Sequence, residues 1–169
     1  MFFSTYSFAA QSDSTTSVKD NYLLIVNTYT SDAAWSNAII DPVQHWAVAE
    51  GQVDVYVQHM NMLMLDDSVK FREAESVFFE KFAAKAPKAV LLIGNSTLLI
   101  RDDIRAHWGD VPLVLCAEES YIGPDAAYIE KQAIPPDERI PLSELADPYN
   151  LTFVQSKTFP QSNVDLLRR

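Results

Sequence analysis

The chain has 169 residues, of which 48% are hydrophobic, 11% aromatic and 21% charged, a composition that suits one globular domain able to bury roughly 70% of its unfolded surface. A net charge of −10 repels phosphate backbones and anionic lipid, so neither nucleic acid nor a membrane surface is expected as a partner of this segment. The four glycines never cluster, the single cysteine excludes an internal disulfide, and the three scattered histidines form no zinc-type set, so no phosphate loop, metal site or cofactor is expected.

Residues 1–20 read as a disordered lead-in or the remnant of a secretion signal, apolar and aromatic at first but without a basic start, then rich in Ser and Thr. From Tyr22 short apolar runs alternate with helix-period stretches, the signature of βαβ units and a parallel sheet. The run Tyr22-Leu23-Leu24-Ile25-Val26 predicts a strand buried on both faces. Trp35, Ile39, Val43 and Trp46 predict one face of a helix that Gly51 ends. Pro42 is expected to kink that helix or to mark a restart capped by Asp41. Val53, Val55 and Val57 alternate with polar residues, which predicts a strand near a sheet edge.

Asp66 and Asp67 precede an apolar stripe of Phe71, Ala74, Phe78 and Phe82, a predicted helix whose end is set by Pro87. Residues 89–93 predict a third strand, and Gly94-Asn95-Ser96-Thr97 opens a helix through Trp108 and Gly109. Residues 112–117 predict a fourth strand. The stretch 123–149 holds five of the nine prolines and reads as a long surface excursion, with one helical turn at 143–146. Residues 150–156 predict a fifth strand, and 162–169 the start of a helix that breaks off after two turns, as in a fragment of something longer.

In an open parallel sheet, ligands bind outside the carboxyl ends of the strands, where strand order reverses. Those ends carry Asn27, Thr28 and Tyr29, then Asn61, then Asn95 and Ser96, then Glu118, with Trp35 opening the first helix. Amides, hydroxyls and aromatics of this kind make a hydrogen-bonding pocket for a small molecule rather than a reactive centre. No catalytic residue is assigned: Cys116 ends an apolar strand as a buried thiol, no GxSxG elbow exists, and His59 alone of the histidines is placed to reach the cleft. Met60, Met62 and Met64 read as anchors of the loop after the second strand.

In their order and spacing the segments LLIVNTY, VDVYVQHMN, AVLLIGNS and VPLVLCAEE resemble the extracytoplasmic sensor module of bacterial two-component sensor histidine kinases, itself similar to ABC-transporter substrate-binding proteins of the type 1 periplasmic fold. The resemblance covers about residues 22–116. It implies a three-layer, doubly wound, mostly parallel five-stranded α/β lobe over 21–169, truncated before a second lobe, periplasmic, paired as a homodimer, and closing on a small-molecule ligand. A transporter's substrate-binding protein shares the pocket, and a stand-alone flavodoxin-like enzyme is the alternative from another class.

Overall fold

The computed structural model describes residues 20–155 with the exception of Gln52, so the lead-in 1–19 and the predicted terminal helix lie outside the described residues. Five strands, β1 (Tyr22–Asn27), β2 (Asp54–His59), β3 (Ala89–Ile93), β4 (Leu113–Ala117) and β7 (Leu151–Gln155), form one parallel sheet in the order β2-β1-β3-β4-β7. Two short strands between β4 and β7, β5 (Tyr121–Ile122) and β6 (Ile140–Pro141), pair antiparallel as a separate ribbon. The order reverses between β1 and β3: α1 (Ala34–Glu50) carries the chain from β1 outward to β2, and α2 (Ser68–Phe82) returns it past β1 to β3. The expected α/β class with a five-stranded parallel sheet is thus present, and β2 lies at an edge as its alternation predicts.

Period-two alternation distributes the strand side chains between two cores. Tyr22, Leu24, Val26, Leu92 and Leu115 face α2 and α3 (Arg101–Trp108), where Phe71, Phe78, Phe82 and Ile104 cover them. Ile25 and Ile93 face the other way, against Ile40, Trp35, Ile39 and Val43 of α1. The first face is the heavier one. Burying each of its phenylalanines contributes about 1.5–3 kcal/mol, and the Phe78, Phe79 and Trp108 rings pack edge-on or tilted with centroids 4.8 to 6.1 Å apart.

Several local expectations are corrected. The buried line of α1 runs through Ser36, Ile40 and Ala47, not through Trp46, which is half exposed. The helix continues through Pro42, exposed on its outer side, and Asp41 starts no new helix. Asp67 alone caps α2, its side chain accepting from the backbone N–H groups of Val69 and Lys70, both at 2.9 Å, while Asp66 pairs with Lys70 at 2.6 Å. The helix stops at Phe82, before Pro87 acts on it. Residues 95–100 form 3₁₀ turns before α3 begins. The 123–149 excursion is ordered by α4 (Asp125–Ile129), by 3₁₀ turns at Pro136–Glu138 and Leu142–Glu144, and by the β5–β6 ribbon, whose Ile122 joins the main core with Leu142.

One carboxyl group sits inside the α2–α3 contact. Glu75 is 5% exposed; its Oε2 accepts from Arg72 at 2.5 Å, while Oε1 is buried without a donor. The Asp103 carboxyl beside it supplies one only when a proton lies between the two. Burial raises the Glu75 carboxyl above its ordinary range, the Arg72 guanidinium opposes that shift, and Asp103 adds to it. The folded state therefore holds this proton more tightly than the unfolded chain, and stability falls as pH rises from the ordinary carboxyl range through the raised value. Glu75→Gln is expected to leave the melting temperature near pH 4.5 almost unchanged and to raise it by a few degrees at pH 8. Calorimetry across that range checks this, and equal shifts at both ends would contradict it.

Candidate functional site

The reversal in strand order falls between the carboxyl ends of β1 and β3, and two buried asparagines fix the loops there. Asn27 is fully buried; its Oδ1 accepts from the Tyr29 backbone N–H at 3.2 Å, closing an Asx turn, and its Nδ2 donates to Ser36 Oγ at 3.2 Å and to His59 Nδ1 at 2.9 Å. One amide thus ties the end of β1 to the first turn of α1 and to the end of β2. With the amide as donor, His59 Nδ1 is the acceptor of this bond.

Asn95 does the same on the other side. Its Oδ1 accepts from the backbone N–H groups of Glu118 and Glu119 at 2.8 and 3.1 Å, and its Nδ2 donates to the carbonyls of Glu119 and Tyr121, both at 2.9 Å. All four hydrogen-bonding positions of the side chain are used within the chain. Asn27 and Asn95 therefore frame the site and do not present free amides to a ligand.

Between them Thr28 Oγ1 and Ser96 Oγ meet at 3.0 Å, joining the two loops across the switch point. Gly94 permits this approach. At φ +90°, a Cβ added there would stand 2.8 Å from Thr28 Oγ1, a distance real side chains do not adopt. Above the pair, the Tyr29 hydroxyl donates to the Glu118 carboxylate, and the Tyr29 ring meets the Trp35 indole edge-on at 5.7 Å. Burial first, and then Glu118, raise the Tyr29 hydroxyl well above the ordinary tyrosine value, so it stays a donor. Trp35 is half-buried, packed partly on the α1 core. Asn61 stands at the end of β2 in the left-handed conformation, φ +48°, where its backbone carbonyl accepts from Met64 N–H at 2.9 Å. The structure thus brings Thr28, Ser96, Tyr29, Trp35 and Glu118 together, and places Asn61 one strand away.

Beneath Thr28 and Ser96, on the α2 face, lies a recess of about 130 Å³ whose walls include Met62, Leu65, Phe71, Leu99, Tyr128 and Ile129, with Lys131 among its lining residues. Sequence reasoning passed over Leu99, Tyr128, Ile129 and Lys131, which reach the site from the 3₁₀ turns and from α4. A larger, open depression of about 410 Å³ lies at the turn between α1 and β2, by the amino ends of the strands and away from this chemistry. Cys116 is half-buried near the end of β4, and burial raises its thiol above the ordinary value, which keeps it protonated and inert. Met60 and Met62 are core residues as expected, whereas Met64 is exposed.

Fold and site together define an α/β protein with a five-stranded parallel sheet and a small recess at its topological switch point. The chain matches no family model, no curated protein and no solved structure. Asn95→Ala deletes four hydrogen bonds made by a buried side chain, and is expected to cost about 2–4 kcal/mol in urea unfolding. A loss below about 1 kcal/mol would show that the β4–β5 loop does not depend on it.

Proposed function

We propose that this chain is the ligand-sensing lobe of an extracytoplasmic receptor, the sensor part of a membrane-bound two-component histidine kinase with a periplasmic-binding-protein-like lobe. It takes up a small molecule at the carboxyl edge of β1 and β3. The observation that carries the reading is the coincidence of the strand-order reversal with convergent side chains, namely the Thr28–Ser96 hydroxyl pair below the Tyr29, Trp35 and Glu118 cluster. Rings stack on ligand faces, hydroxyls orient polar groups, and two asparagines keep both loops in register beforehand. The sequence resemblance supports the receptor context. Among the described residues no helix is long and apolar enough to cross a membrane, and in this reading the lobe signals through chain beyond them.

The test is thermal unfolding against a panel of small polar and aromatic metabolites. At least one is expected to raise the melting temperature saturably, with affinity roughly tenfold weaker in Tyr29→Ala and in Trp35→Ala. A panel without any shift overturns the reading. Flavin absorbance in the purified protein overturns it in favour of a flavodoxin-like enzyme, whose strand order and switch point are the same.

A further inference from the structure

The recess under the Thr28–Ser96 pair differs in chemistry from the cluster above it, and we propose that it selects the ligand class: a small apolar monocarboxylic acid, its hydrocarbon part in the recess and its carboxylate at the two hydroxyls and Lys131. This rests on reading the β1–β3 switch point as the ligand site. Three observations carry it.

The first is size and lining. Apart from Thr28, Ser96 and Lys131, the lining is apolar or aromatic, and the volume is about 130 Å³. An apolar cavity of roughly 150 Å³ takes one six-membered ring, so this one suits a ring or a branched chain of about four to six carbons. Nucleotides and sugars are too large and too polar for it.

The second is the polar end. Thr28 Oγ1 and Ser96 Oγ satisfy each other at 3.0 Å, but each hydroxyl offers one proton and two lone pairs. One proton suffices for their mutual bond, which leaves the other for a carboxylate oxygen. Lys131, exposed and within electrostatic reach of the Asp66 carboxylate, adds a cation at the same recess that a ligand carboxylate would share with Asp66.

The third is the conformation of Lys131. It follows α4 at φ +55°, with Glu130 N–H bonded to Ala126 O and Gln132 N–H to Ala127 O, both at 2.8 Å. The Gln132 bond is a six-to-one closure of the helix end, whose left-handed position normally belongs to glycine. Lysine adopts this backbone region less readily than glycine, and here it places Lys131 among the residues lining the recess.

The experiment uses benzoate and isovalerate as probes, with benzyl alcohol as the neutral counterpart. Saturable benzoate binding is expected by NMR titration, with intermolecular NOEs from the ring protons to the Met62 methyl group. Leu99→Trp, which fills the recess, abolishes binding, and Ile129→Phe, on the half-buried wall, weakens it should the first variant fold poorly. Lys131→Met is expected to weaken benzoate roughly threefold and to leave benzyl alcohol unchanged. Absence of NOEs to Met62 in the wild-type protein overturns the assignment without any variant. Equal affinity for benzoate and benzyl alcohol, unaltered in Lys131→Met, overturns the acid class. A polar metabolite that binds through Tyr29 while benzoate and isovalerate do not would overturn this inference and leave the receptor reading intact.

Discussion

Where a parallel sheet ends, its ladder ends with it, and the loops at the carboxyl edge must find other partners for their backbone amides and carbonyls. In this chain two asparagines supply many of them. Asn95 holds two N–H groups and two carbonyls of the segment after β4, and Asn27 gathers β1, α1 and β2 around one amide. Both are nearly or fully buried, where an unmade hydrogen bond is costly and a complete set enforces one geometry. The Thr28–Ser96 contact, the height of the Tyr29 ring and the floor of the recess all follow from where these two side chains hold the backbone.

The sheet beneath is asymmetric, and the asymmetry locates the recess. On the α2 and α3 side a continuous core runs from Tyr22 to Leu151 and takes in Met62, Tyr128 and Ile129 at the carboxyl end. The 123–149 excursion belongs to this side, since Leu142 packs into the same core together with Ile122 just before it. A segment rich in proline, at first sight a solvent loop, therefore supplies a wall of the site. Its prolines set the turns before α4 and at the start of each 3₁₀ segment, where a fixed φ is an advantage.

Strand positions and parallel pairing were legible because five apolar runs at βαβ spacing admit few alternatives. The switch-point loops were legible for the same reason, and Thr28, Tyr29, Ser96 and Glu118 do converge. Asn27 and Asn95 stand at strand ends as their positions predict, and their side chains bind the loops and neighbours there. A sequence shows that an asparagine stands at a strand end, and only the partners of its four hydrogen-bonding sites show whether any remain for a ligand. Spacings of four, four and three place Trp46 on one helix face with Trp35, Ile39 and Val43, yet Ile40 and Ala47 define the face that is most deeply buried. Tyr128, Ile129 and Lys131 lay beyond sequence reasoning, since their approach depends on a fold-back of β5 and β6 with only two residues in each strand.

The bond between the Tyr29 hydroxyl and Glu118 has a thermodynamic corollary. It bolts the β1 loop to the β4 loop directly over the switch point, so a ligand group that takes either partner does so in exchange for this bond. Observed affinity is then the intrinsic affinity multiplied by the fraction of molecules already unbolted. In the proposed ligand-binding reading, the strength of this single phenol–carboxylate contact therefore enters the affinity of any ligand that competes for either partner.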